Sequence, residues 1–242
     1  MSTMDGKTCL VTGATSGIGA VTARELARLG AHVVIVGRNA NKCERQIKRI
    51  RREVKDAQPE FILADLSSQE QIRRLTREFG SRYDCLDILV NNAGAYFGKR
   101  ETTADGLEMT LALNHICPFA LTRLLLDKLK SSRSARVVNV SSSAHEHARV
   151  NFEDLQSEVE YDRLRAYSQS KLANLLFTYE LARRLKGTNV TVNALHPGSV
   201  ATNLGSDSNW LRAKVRNVIK RQMLSPEEGA KTAIYLASSP DV

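Results

Sequence analysis

The sequence predicts a doubly wound parallel α/β sheet with helices on both faces, and three observations carry that prediction. Short runs rich in β-branched residues alternate with longer segments of helical period along almost the whole chain. The runs are apolar throughout, as strands are when both faces of their sheet are covered. Every polar motif of note falls just after one of these runs, at the carboxyl ends of strands, where such sheets bind their ligands.

The elements follow in order. The first run, residues 8–12 (TCLVT), turns at once into Thr12-Gly-Ala-Thr-Ser-Gly-Ile-Gly19 and a helical segment over 17–29. Glycines here let the turn close and let backbone N–H groups approach a pyrophosphate at the positive end of the helix dipole. The turn therefore reads as a nucleotide site built from Gly13, Ser16, Gly17, Ile18 and Gly19. The second run, 32–36, ends in Gly37-Arg38-Asn39, and the helical segment over 40–56 carries seven basic residues: Lys42, Arg45, Lys48, Arg49, Arg51, Arg52 and Lys55. Such a run reads as a solvated helix face, with a phosphate-bearing ligand or an anionic surface as alternatives.

The third run, 61–64, closes on Asp65-Leu66 before a helical segment at 68–80. The fourth, 86–90, leads into Asn91-Asn92-Ala93-Gly94 and a long helical segment at 104–130 that contains Asn114. Asparagine amides at that strand end can fix backbone turns and line a groove. The fifth, 136–141, ends in Ser141-Ser142-Ser143, and a helical segment at 164–186 follows. The sixth, 190–195, opens into Pro197-Gly198.

Within the segment 164–186 stands Tyr167-Ser-Gln-Ser-Lys171. Residues at i and i+4 share a helix face, so the phenol and the ammonium are neighbours. A phenol titrates near 10, and acid–base work at neutral pH asks for a shift of roughly three units, about 4 kcal/mol. A partly shielded lysine ammonium is one of the few groups able to supply it. The pair is also a common helical spacing, and its meaning depends on what surrounds it.

The bulk numbers narrow the class. With 242 residues and no Pro/Gly/Ser linker, the chain reads as one domain over 1–242. Hydrophobic content of 42% and charged content of 25% are ordinary for a soluble protein, and no apolar run approaches a membrane span. The N-terminus has no apolar stretch before the first strand, which excludes a signal peptide and makes the cytoplasm the expected compartment. Cys9, Cys43, Cys85 and Cys117 are widely spaced, which reads as reduced packing residues, and the sequons at Asn139 and Asn189 lie in buried strands. The net charge is +9, but the sequence has few aromatics and no nucleic-acid motif beside its basic faces, so nucleic acid is not an expected partner.

The spacing Gly-x-x-x-Gly-x-Gly, with Asn91-Asn92-Ala93-Gly94, Asn114, Ser142, Tyr167, Lys171 and Pro197-Gly198 in this order, resembles a classical short-chain dehydrogenase/reductase over nearly the whole chain. The resemblance implies a Rossmann fold and a nicotinamide cofactor. Asp65 and Leu66 would lie against the adenine. Asn91, Asn92, Ala93 and Gly94 would line the cofactor groove. Pro197, Gly198, Val200 and Thr202 would wrap the nicotinamide end. Gly37 stands where an NAD-binding acid would be expected, and Arg38 follows it. A bidentate arginine–phosphate contact is worth roughly 1.5 to 3 kcal/mol, which favours NADP(H), with Lys42 assisting more weakly. For catalysis the resemblance implies Tyr167 as proton donor, Lys171 as the group that lowers its pKa and holds the nicotinamide ribose, and Asn114 as the holder of a water that feeds protons to Lys171. Ser142 is the expected partner of the substrate oxygen, with Ser141 as second choice.

The insert at 144–155, together with Ala166-Tyr-Ser-Gln-Ser-Lys-Leu-Ala-Asn174 and Leu195-His-Pro-Gly198, looks like the retinol-dehydrogenase-like branch. That branch implies NADP(H) acting on retinoids, aldehydes or other lipophilic carbonyls, with Ser142, His145, Tyr167 and Trp210 on the substrate side. No histidine and carboxylate cluster completes a metal site around His145 and His147. Trp210, Leu211, Val215, Val218, Ile219 and Gln222 form an apolar stripe opposite Arg212, Lys214, Arg216, Lys220 and Arg221. A helix over 208–222 would be a substrate lid, a contact with an anionic membrane surface, or plain packing. The family normally continues past Val242 into a seventh strand that forms part of its dimer surface, so a sheet short of that edge strand is expected and a homodimer stays open. The rival readings are a C=C reductase like protochlorophyllide reductase and a non-catalytic NADP-binding sensor.

Overall fold

The computed structural model describes residues 4–200 and 223–242. Six strands form β1 (Thr8–Thr12), β2 (His32–Gly37), β3 (Glu60–Leu63), β4 (Ile88–Asn91), β5 (Ala135–Val140) and β6 (Val190–Leu195). They pair in parallel in the order β3-β2-β1-β4-β5-β6. The chain winds outward one way from β1 and the other way from β4, so the strand order reverses between these two, and a crevice opens beyond their carboxyl ends.

Strand alternation sorts the core into two layers. Cys9, Val11, Val33 and Ile35 face α1 (Gly17–Arg28), α2 (Ala40–Glu53) and a C-terminal helix, whereas Leu10, Val34 and Val36 face α3 (Gln69–Arg82) and the helices after β4. Each such fully buried aliphatic side chain contributes about 1.5–3 kcal/mol. Both layers are apolar, which accounts for strands without polar alternation.

The segment expected at 104–130 is broken. It opens as α4 (Met109–Leu111), widens into a π turn over Ala112–Ile116, and continues as α5 (Cys117–Leu124) and α6 (Leu126–Lys130). Residues 102–108 instead form a small turn closed by a bridge between Thr102 and Glu108, and the Glu108 carboxylate caps α4 by accepting from the N–H groups of Thr110 and Leu111 at 2.7 Å each. The helix expected to reach 56 ends at Glu53, ahead of Asp56, which takes a left-handed φ of 66°. After β5 comes a 3-10 turn, Ser143–His147, then α7 (Arg163–Arg184). The C-terminal helix α8 (Pro226–Ser238) carries a reciprocal capping box between Ser225 and Glu228 with Pro226 in the first turn, a start signal that is legible in the sequence and absent from the expected elements.

All seven basic residues of 42–55 are exposed, the solvated face expected of them. Thr202, Trp210, the stripe over 208–222 and its five basic residues lie outside the described residues. Among the described residues no helix is long and apolar enough to cross a membrane.

Candidate active site

β1 delivers Thr12 to the crevice, and β4 delivers Asn92 beside it. The Asn92 Nδ2 group donates to the carbonyls of Thr12 and Gly13, at 2.9 and 3.3 Å. In return the Thr12 hydroxyl accepts from the N–H groups of Asn92 and Ala93, both at 3.0 Å, and donates to Val90 O. The glycine turn is thereby tied to the neighbouring strand. Gly13 takes φ +64°, and a Cβ on Gly19 would stand 2.3 Å from Asn92 Nδ2 and 2.6 Å from Gly13 O. Neither glycine leaves room for a side chain, so the main chain of the turn can approach a ligand at these two positions.

At the end of β2 the same economy recurs. A Cβ on Gly37 would meet Cys43 Sγ at 2.7 Å and Thr15 Cγ2 at 2.9 Å. Arg38 and Lys42 stand exposed on the rim, and Asn39 caps α2 by accepting from the N–H of Lys42. Asp65 and Leu66 complete this wall, with Asp65 Oδ1 accepting from the N–H and hydroxyl of Ser67.

The far end of the crevice is built from α7 and β5. Lys171 is 4% exposed, its Nζ donating to Val140 O at 3.0 Å and lying 5.6 Å from the centre of the Tyr167 ring. Burial lowers its pKa to about 8. Burial also raises the pKa of Tyr167, opposed by a hydrogen bond with Ser142. The lowered phenol pKa expected from Lys171 is therefore reversed here: desolvation of the phenol outweighs the hydrogen bond with Ser142, and burial disfavours Lys171 as a cation. Of the two serines, Ser142 faces Tyr167, while Ser141 is buried with its hydroxyl donating to Lys171 O at 2.8 Å. The edge of Tyr96 meets the Tyr167 ring at 5.5 Å.

One cleft of about 610 Å³ joins these ends. Along it lie Gly13, Ser16, Gly17, Ile18, Gly19, Arg38, Lys42, Asp65, Leu66, Asn92, Ala93, Gly94, Ser142, Tyr167, Lys171, Pro197, Gly198 and Val200. Three expected residues lie elsewhere. Asn91, the last residue of β4, points into the protein and donates to Thr122 Oγ1 and Asn139 Oδ1, at 3.0 and 2.8 Å, because strand alternation gives the groove to Asn92. His145 bonds back through Nδ1 to Ser142 O at 2.6 Å, which holds it on the 3-10 turn and off the cleft wall. The Asn114 side chain is engaged by protein: Oδ1 accepts from Ala95 N at 2.8 Å, and Nδ2 donates to Ala95 O and Ser170 Oγ, at 2.9 and 3.0 Å. Phe97, Met109 and Leu113 form an apolar wall that sequence reasoning missed, since only the fold brings them to the cleft. Ser170 and Asn174 were missed as well, although their spacing from Tyr167 sets them on its helix face.

The crevice suits a dinucleotide: a glycine-rich turn at a helix N-terminus, a basic rim where β2 ends, and a length that reaches from that rim to Tyr167. A family model described as short chain dehydrogenase matches residues 7–211. Retinol dehydrogenase 14 of Mus musculus is 46% identical over 99% of this chain and 75% of its own length. Polyprenol dehydrogenase of Homo sapiens is 41% identical over 98% of this chain and 74% of its own. Among solved structures, a protein of Mycobacterium paratuberculosis superposes with a TM-score of 0.77 at 39% identity, covering 97% of this chain and 77% of that one. The Pseudomonas aeruginosa RhlG complex with NADP gives 0.76 at 29%, covering 99% and 93%. The chain belongs to the short-chain dehydrogenases, in their retinol-dehydrogenase-like branch, and is an oxidoreductase that moves hydride between a nicotinamide and a carbonyl or alcohol.

Proposed function

We propose that this protein is an NADP(H)-dependent reductase of lipophilic carbonyls of the retinaldehyde kind, with Tyr167 as its proton donor. The observation that carries the reading is the seating of Tyr167 between Ser142 and Lys171 at one end of a cleft whose other end is rimmed by Arg38. When bound, the cofactor supplies hydride to the carbonyl carbon. Gly13, Ser16, Gly17, Ile18 and Gly19 would hold its pyrophosphate, Arg38 and Lys42 its 2′-phosphate, and Lys171 its nicotinamide ribose.

Tyr167 gives its proton to the carbonyl oxygen, and Ser142 donates a hydrogen bond to the same oxygen. A phenol whose pKa is raised by burial keeps its proton through the neutral range, which suits reduction. Lys171 resupplies that proton from a water that Asn114 would hold beside Gly94, where a Cβ would stand 3.3 Å from both Asn114 Oδ1 and Lys171 Nζ. Phe97, Met109 and Leu113 receive the apolar part of the substrate. The relatives are named for retinol and polyprenol, both long apolar alcohols, which supports that class.

The test is kcat/KM for retinaldehyde, medium-chain aldehydes, steroids and quinones with NADPH and with NADH. The expected result is turnover of the apolar aldehydes with NADPH preferred about tenfold or more. A preference for NADH overturns the cofactor assignment. Inactivity with the whole panel despite tight NADPH binding favours the sensor reading.

A further inference from the structure

Asn114 sits in the π turn of Ala112–Ile116, and the sequence holds a cause for the departure from α geometry. In an α-helix its carbonyl would accept from the N–H of residue 118, which is proline and has none. A buried carbonyl that loses its helical donor needs a replacement. It comes from α7: Nδ2 of Asn174 donates to Asn114 O at 2.7 Å, and Asn174 is 2% exposed. The Asn174 oxygen in turn meets His115 Nδ1 at 3.0 Å. Since the amide group's donors point at Asn114, its oxygen accepts, and His115 carries its proton on Nδ1.

The arrangement reaches the helix that carries the reacting groups by two routes. Asn114 Nδ2 donates to Ser170 Oγ, whose hydroxyl donates to the main-chain carbonyl of Tyr167 at 2.7 Å. Tyr167, Ser170, Lys171 and Asn174 share one face of α7, so a shift at Asn174 is felt along the same rigid surface.

We infer that Asn174, oriented by His115, is a positioning residue of the proton path: it holds the carbonyl that Pro118 leaves without its helical donor, and so keeps Asn114 seated against Gly94, Ser170 and Lys171. This rests on the roles given above to Tyr167 and Lys171. It assigns work to residues that do not line the cleft.

The test compares five variants of the full chain. Asn174→Leu keeps bulk and loses both hydrogen bonds. His115→Leu removes the orienting donor, and His115→Asn returns an N–H close to where Nδ1 stands. Pro118→Ala offers Asn114 O its helical N–H again, in competition with Asn174, and is the variant least able to disturb folding. Tyr167→Phe serves as reference. Expected are kcat values for carbonyl reduction about 10–100-fold down in Asn174→Leu, His115→Leu and Pro118→Ala, with NADPH Kd, read by nucleotide fluorescence, within about twofold of wild type. The alkaline limb of the kcat–pH profile moves in the same three, and His115→Asn recovers most of the loss.

Normal kcat and an unmoved pH profile in Asn174→Leu or Pro118→Ala overturn the inference, as does a His115→Asn variant no better than His115→Leu. The reference separates the two levels. If Tyr167→Phe also turns over normally, the catalytic reading itself fails. If Tyr167→Phe is inactive while the others are normal, only the positioning role falls.

Discussion

The two ends of the cleft are positioned by opposite means. At the nucleotide end glycines set the spacing: Gly13 and Gly19 bring main chain within contact of main chain, Gly37 packs under the side chains of Cys43 and Thr15, and a single threonine and a single asparagine tie the turn to β4. At the chemical end side chains are crowded and polar. The face of α7 that meets β5 and the π turn carries Ser170, Lys171, Asn174 and Thr178, all buried and each hydrogen-bonded across the packing seam. The first end depends on shape and admits no added atom. The second depends on a network and is sensitive to the loss of any one partner.

The sharpest way to break this contrast is at Tyr167. Tyr167→Phe is expected to lower kcat for reduction by about 10²–10⁴ while NADPH affinity, set at the other end, stays near wild type. A parallel loss of nucleotide binding would show that the two ends are not independent. Next in size is the cost of burying Lys171. Its pKa is about 8 when folded against an ordinary lysine value of 10.5, so between those pH values the unfolded chain binds more protons than the folded one. Stability therefore rises with pH across that window. Below pH 8 both forms are charged and the folded state bears the full penalty. In urea titrations Lys171→Met should be the more stable protein at pH 7.5, and its advantage should shrink by about 3 kcal/mol by pH 10.5. A constant difference would mean that the ammonium is solvated.

The nucleotide end predicts a smaller but stubborn effect. Gly19→Ala should weaken NADPH binding or stability by about 1–3 kcal/mol, measured by titration and thermal unfolding. Adding Asn92→Ala should not restore it, because Gly13 O, a main-chain atom, stands 2.6 Å from the new Cβ. Rescue by that second change would show that the side chain alone sets the limit. Smallest is Arg38→Leu, expected to lower the NADPH-to-NADH ratio of kcat/KM about tenfold, since an exposed arginine gives up part of its contact to solvent.

Legibility in the sequence follows the same division. β1 and β6 lie at their expected bounds because apolar β-branched runs in a covered sheet have few alternatives. The glycine turn is readable because its pattern is local, three glycines within eight consecutive residues. At the chemical end the partners stand far apart in sequence: Asn114 and Asn174 are 60 residues apart, Asn91 and Asn139 are 48. No local pattern announces such pairs. The π turn hides for a related reason, since Pro118 removes a donor but only α7 decides what replaces it. Asn91 and Asn92 show how one step along a strand separates a packing residue from a groove residue. His145 was misplaced because a short 3-10 turn reverses its ring toward Ser142.

The tight seat of Gly37 bears on how this cleft could change over evolutionary time. A carboxylate at that position, the simplest route toward the other nicotinamide cofactor, would place its first carbon 2.7 Å from Cys43 Sγ and 2.9 Å from Thr15 Cγ2. Both atoms belong to side chains, so the obstacle is removable, by a shift of both Thr15 and Cys43 or by smaller residues at those two positions. On the proposed NADP(H) reading, cofactor preference is guarded by packing as well as charge, and a lineage leaving it would have to loosen the wall between α2 and the glycine turn on acquiring the acid.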